Sequence, residues 1–152
     1  MSDPVEEKLS DAACFGRASE VLSLLKDHPD INVNWINDNN WTPLHRASFR
    51  GHVEVVKLLL AHPNIHVNLK NNGGDTPFSL CCQCGQVSVV RVLLKDPRVD
   101  VTLDDIRGRT PLWRASRFGR HEVIEWLIAS GRSGRCREQE REKLWWQMLH
   151  SP

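Results

Sequence analysis

Thr42-Pro43-Leu44 returns as Thr76-Pro77-Phe78 and again as Thr110-Pro111-Leu112, each copy 34 residues after the last. A glycine follows at the same offset each time, at Gly51, Gly85 and Gly119. Behind each glycine comes an aliphatic block: Val55 to Leu60, Val89 to Leu94 and Val123 to Ile128. Self-similarity at a fixed period of this size is the mark of a stacked repeat, in which each unit buries its apolar face against its neighbours.

The residue types say what one unit folds into. Thr is a good helix N-cap, because its hydroxyl accepts from the first free backbone amides. Proline immediately after it occupies the first helical position, where a missing N–H costs nothing. Small residues follow, Ala47-Ser48, Cys81-Cys82 and Ala115-Ser116, which let neighbouring helices approach. Glycine then supplies the left-handed conformation that ends a short helix. The aliphatic block has apolar residues at i, i+1, i+3, i+4 and i+5, the broad buried face of a second helix. Pro63 and Pro97 stop that helix, and an extended piece such as Ile65-His66-Val67-Asn68 comes next. The unit is a helical hairpin followed by an extended finger.

An upstream unit is legible without the Thr-Pro signal. Its later part, His28-Pro29-Asp30-Ile31-Asn32-Val33-Asn34, aligns with His62 to Asn68 at 34, while Gly16 lies 35 before Gly51. One residue therefore differs within its second helix or the turn after it. Lys8 stands where the capping Thr would be, which suits a terminal unit with a polar outer face. After Gly131 the pattern ends. Residues 138–150 read as a non-repeat helix with Leu144, Trp145, Met148 and Leu149 along one stripe, and are expected to cover the fourth unit.

Composition restricts the function classes. A formal charge of +1 over 152 residues favours neither nucleic acid nor an anionic membrane as partner. The polar N-terminus is no secretory signal, and the apolar stretch near Val55 to Ala61 is too short to span a bilayer. Five cysteines, three of them crowded at Cys81, Cys82 and Cys84, suit a reduced setting, so a cytoplasmic location is expected, with the nucleus left open.

These residues resemble the ankyrin repeat, whose unit carries a Thr-Pro-Leu-His start and an Ala-Ala pair before a glycine. Thr42-Pro43-Leu44-His45, Gly51-His52 and Glu54-Val55-Val56 carry the likeness, which covers roughly residues 8–131. It implies an all-α solenoid of stacked helix-turn-helix units with projecting β-turn fingers. The division would be a capping repeat at 1–37, repeats at 38–71, 72–105 and 106–131, and a linker with capping helix at 132–152. Two departures stand out. Ser79 and Trp113 replace the histidine found at His45, so its bond to the capping threonine is expected to be lost in both units. Cys81-Cys82 replace the Ala-Ala pair, which marks the third unit as the least rigid.

The same resemblance implies that partners bind at the finger tips and the outer side of the first helices. Carried over by position, the finger candidates are Asp38, Asn39, Trp41, Asp75, Arg107 and Arg109, with Asn72, Gly73 and Ile106 beside them. The first-helix candidates are Phe49, Arg50, Gln83, Arg117 and Phe118, with Cys14, Phe15 and Cys84 in equivalent places. Aromatic residues and arginine are the types enriched at binding hot spots. Taken singly, each could be no more than a solvated arginine or a half-buried aromatic. As a group on one groove they point to a partner protein with an acidic or aromatic segment.

Catalytic and metal chemistry are not written here. Zinc sites use separated ligand pairs, whereas the repeat register spends Cys81 and Cys82 on helix packing. No His-Glu-x-x-His, phosphate loop or Gly-x-Ser-x-Gly occurs. Neither an enzymatic activity nor a cofactor is expected. The fourth-unit arginines with Arg132, Arg135 and Arg137 would suit nucleic acid, but Glu138, Glu140 and Glu142 follow at once. The expected function is protein recognition by a monomeric scaffold, adaptor or inhibitor. The alternative is a piece of a longer array used for spacing or self-association.

Overall fold

A computed structural model describes residues 4–132, which leaves the expected helix at 138–150 outside the described residues. Among the described residues eight helices follow one another as four hairpins: α1 (Pro4–Cys14) with α2 (Ala18–Asp27), α3 (Pro43–Arg50) with α4 (Val53–Leu60), α5 (Pro77–Cys84) with α6 (Val87–Lys95), and α7 (Pro111–Arg117) with α8 (His121–Ala129). The first helices α1, α3, α5 and α7 pack side by side as one layer. The second helices α2, α4, α6 and α8 form the layer behind. The all-helical solenoid expected from the 34-residue period is the observed architecture, and no strand occurs among the described residues.

The core runs the length of the stack as columns of equivalent residues. Leu44, Phe78 and Leu112 form one; Val55, Val89 and Val123 another; Leu59, Leu93 and Leu127 a third, all buried. Cys81 and Cys82 are buried beside Ala47 and Ala115, so the thiols act as small apolar side chains. The extra residue of the first unit is taken up in α2, which runs for 10 residues where α4 has 8. With no Thr-Pro start to halt it, α1 extends upstream of Lys8 to Pro4.

Capping explains why the short helices begin where they do. The hydroxyls of Thr42, Thr76 and Thr110 accept from the backbone N–H three residues on, at 3.2, 3.1 and 3.2 Å. One expectation needs correcting. Ser79 does not lose the reciprocal bond: its hydroxyl accepts from the Thr76 N–H at 3.0 Å and completes the same capping box as His45. A hydroxyl on a short arm reaches the amide that an imidazole reaches in the second unit. Trp113 has no acceptor to offer, so the fourth unit alone keeps half of the motif.

Polar side chains lock unit to unit at repeating positions. His52 and Gln86 each bond a carbonyl at the end of the preceding first helix, Cys14 O at 2.9 Å and Phe49 O at 3.1 Å. Arg120 does the same with Nε, to Gln83 O at 2.9 Å. Gly51 and Gly85 are both left-handed, the conformation that favours glycine, and the Gln86 and Arg120 side chains lie close over them. Asn34 and Asn68 each clamp the next unit, donating to Asn64 O and Arg98 O and accepting from the amides of His66 and Asp100.

His45 carries a pH dependence. Its Nδ1 accepts from the Thr42 N–H at 3.1 Å while Nε2 reaches Asp75 O at 2.9 Å, which assigns the neutral form protonated at Nε2. Burial holds its pKa below the ordinary value, outweighing the backbone bond to Asp75 that favours the charged form. The unfolded chain therefore binds a proton more readily than the fold does. This contribution to stability is complete above about pH 6.5 and is lost as pH falls below it. Urea titrations across that range should show a steeper loss in the wild type than in His45→Ser, which copies Ser79 and cannot titrate. Equal slopes would contradict the assignment.

Candidate functional site

Three fingers project beyond the first helices, each organised by one side chain. Asn37 Oδ1 accepts from the amides of Asn39 and Trp41 at 3.0 and 2.9 Å. Asn71 Oδ1 takes those of Gly73 and Asp75, both at 3.0 Å. Asp105 Oδ1 takes those of Arg107 and Arg109 at 2.8 and 3.0 Å. Neighbouring fingers are joined backbone to backbone, from Asn72 N–H to Asn39 O at 3.1 Å and from Ile106 N–H to Gly73 O at 3.4 Å. These three organisers were not among the sequence candidates, although they too recur every 34 residues. An Asx residue that turns the chain back on itself is the signal that could have found them.

The finger and first-helix candidates fall into two groups. The first is tied up inside the protein. Arg114, buried at 5% exposure, donates to Gln83 Oε1 at 2.5 Å, to Asp75 Oδ1 and to Asp105 Oδ2 at 2.7 Å. Arg109 Nε meets the same Asp105 oxygen at 2.7 Å and lays its guanidinium 5.4 Å from the Trp113 ring centre. Burial would raise the Asp105 pKa, but hydrogen bonds from Arg114, the backbone of Arg109 and Arg107 and the Arg109 side chain hold it far below the carboxylate range. Two carboxylates and two guanidiniums thus cancel within one network. Asp75, Gln83 and Arg109 are brought together in it by Arg114, which sequence reasoning had counted only as one more fourth-unit arginine.

The second group faces outward. Asp38, Asn39, Arg50, Arg107, Arg117 and Phe118 are exposed, with Phe118 at 50%. The guanidiniums of Arg50, Arg107 and Arg117 have no ion-pair or hydrogen-bond partner among the described residues. Trp41 and Phe49 are half-buried and meet edge to face at 5.4 Å between ring centres, with His45 6.0 Å from Trp41. Phe15 is 58% exposed at the place equivalent to Arg50 in the first unit, whereas Cys14, at the place of Phe49, is buried and does not line this face.

Two of the three crowded thiols are poorly suited to act as nucleophiles. Burial, reinforced by Cys81, pushes the Cys82 pKa well up, and burial also raises that of Cys84 against the opposing pull of Arg120 and Arg114. A thiol kept protonated is a poor attacking group and a poor metal ligand. Among the described residues no three His, Cys, Asp or Glu side chains are placed to hold a metal ion, and no helix is long and apolar enough to cross a membrane.

Comparison with known proteins agrees with this geometry. The family model described as ankyrin repeats (3 copies) matches residues 9–71 and 65–137. No curated protein matches the chain. Ankyrin repeats are in general protein–protein interaction modules built on a non-catalytic fold. Helix pairs stacked in two layers, Thr-Pro caps every 34 residues and a matched family model over most of the length place this chain in the ankyrin-repeat family.

Proposed function

We propose that this protein recognises a partner protein through the face made by its fingers and first helices, with Trp41, Phe49, Arg50, Arg107, Arg117 and Phe118 as the contact residues. The supporting observation is a division of labour. Every carboxylate of the Arg114 network is spent internally, whereas Arg50, Arg107 and Arg117 have no partner among the described residues and stand beside exposed or half-exposed aromatics. Such a surface favours an acidic segment carrying aromatic or aliphatic anchors, since arginine and aromatic rings supply most interface energy. Asp38 and Asn39 at the first finger would contribute rim contacts.

Truncating Trp41 and Phe118 together should cost at least ~1 kcal/mol of affinity for a partner captured by the wild type, about a fivefold weakening. Calorimetric titration measures it, and circular dichroism checks that the stack stays folded. Unchanged affinity in the Trp41→Ala, Phe118→Ala protein would sink the assignment. The exposure of Ile106, Trp113 and Trp126 on the fourth unit favours a second reading, self-association through that end. Sedimentation over a range of concentrations separates the two, because only the second gives concentration-dependent oligomers.

A further inference from the structure

The position after the helix-ending glycine has one structural duty, a hydrogen bond back to the preceding unit. His52 performs it with Nε2 and Gln86 with its amide, at 2.9 and 3.1 Å. Neither needs a full positive charge to do so. Arg120 performs it with Nε at 2.9 Å, and its remaining donors, Nη1 and Nη2, have no partner among the described residues. Its stem lies close over Gly85, with Cδ 2.8 Å from where a Cβ would stand. The result is a guanidinium held by one edge with the charged fork turned free. A fork held in this way has already lost the rotamer freedom that binding a carboxylate would otherwise cost.

Arg117 ends α7 three residues earlier, and Arg50 ends α3 two units away at the same end of the first-helix layer. The unit between them presents Gln83 and the half-buried Cys84, with no acidic side chain at either place. Helices packed side by side lie about 8 to 10 Å apart, so the step from Arg50 to the Arg117–Arg120 pair is roughly 16 to 20 Å. An extended chain covers that in about six residues.

Resting on the reading of this face as a protein-binding surface, we infer that the occupant is an extended acidic peptide segment. It lies across the ends of α3, α5 and α7 with one carboxylate on Arg50 and another, about six residues away, on the fork of Arg120 beside Arg117. Phe49 at one end and Phe118 at the other take flanking apolar side chains. Arg50 and Arg117 also stand in the last turns of their helices, where a cation interacts favourably with the helix dipole for stability alone. Arg120 separates the two roles, because its structural bond can be kept while its charge is removed.

Arg120→Gln copies Gln86 and retains a donor for the Gln83 carbonyl. The probe is a fluorescent synthetic peptide of about ten residues with glutamates at the stated spacing and a leucine outside each. A second peptide has glutamine in place of every glutamate. Anisotropy titrations are expected to favour the glutamate peptide at least tenfold. The triple variant Arg50→Gln, Arg117→Gln, Arg120→Gln should lose about tenfold of that affinity and show a shallower salt dependence. Arg120→Gln alone should keep the wild-type thermal midpoint while binding several-fold more weakly.

Equal binding of both peptides overturns the inference. So does wild-type binding by the triple variant, or no binding of the glutamate peptide at about 1 mM, the weak end of specific recognition. A lowered midpoint in Arg120→Gln with unchanged binding would assign the charge to stacking and also overturn it. Each of these outcomes leaves the Trp41 and Phe118 test standing, so failure of the acidic occupant is distinguishable from failure of the binding face.

Discussion

Replacing Arg114 by leucine is expected to lower the unfolding free energy by about 3 to 5 kcal/mol at neutral pH, the usual cost of removing one partner from a buried ion pair. The size of the side chain is not the reason, because the equivalent place in the third unit holds Leu80, buried among its own neighbours. What is lost is the cation that joins Asp75 of one finger, Gln83 of α5 and Asp105 of the next finger. Asp105 is left at 7% exposure with only Arg109 opposite. Adding Asp105→Asn to Arg114→Leu should recover part of the loss, since an amide is cheaper to bury than an unpaired carboxylate. The pH dependence has a definite sign. The Asp105 carboxyl titrates lower in the fold than in the unfolded chain, so its contribution is present above about pH 4 and fades as pH falls below it. The gap between wild type and Arg114→Leu in urea unfolding should therefore narrow on acidification. A variant within ~1 kcal/mol of the wild type at pH 7 would show that the network does not hold the third and fourth units together.

Phe78→Ala should be as damaging for a different reason. Phe78 is 1% exposed in the core of the third unit, and it is the largest side chain in the column it shares with Leu44 and Leu112. Truncating a buried phenylalanine costs about 3 to 5 kcal/mol through lost burial and the cavity left behind. Both flanking units lean on this one, since α5 packs against α3 on one side and α7 on the other. In a stack stabilised by nearest-neighbour interfaces, a central defect weakens two interfaces at once. A fall in thermal midpoint on the order of 10 °C is expected by calorimetry. Phe78→Leu, which copies the neighbouring units, should lose much less. A full-size loss in the leucine variant would mean that the third unit is shaped around the ring and not merely filled by it.

The stacking grammar was legible in the sequence because it is local and periodic. Thr42-Pro43, Gly51 and the Val55 to Leu60 block each specify a cap, a stop and a buried face within a few residues, and 34-residue repetition multiplies the signal. Ser79 was misjudged by residue type, since what matters at that place is an acceptor within reach of the Thr76 amide, not an imidazole. The site was less legible. Trp41, Phe49, Arg50 and Phe118 were named from their register in the repeat, but register does not tell a free arginine from a buried one. Arg114 and Arg117 lie three residues apart on α7, yet one is enclosed by two carboxylates and the other is exposed.

What the sequence determined by itself was the architecture, because helix caps, glycine stops and apolar periodicity act over distances shorter than one unit. What only the tertiary structure decided was the fate of the charges. Asp75, Gln83, Asp105 and Arg114 come from separate elements, with Asp75 and Arg114 39 residues apart in the chain, and meet only once two fingers and two helices have stacked. Electrostatic pairing depends on distances across the stack, which no local pattern encodes, so which arginines stay exposed emerges only after the internal pairs have been formed.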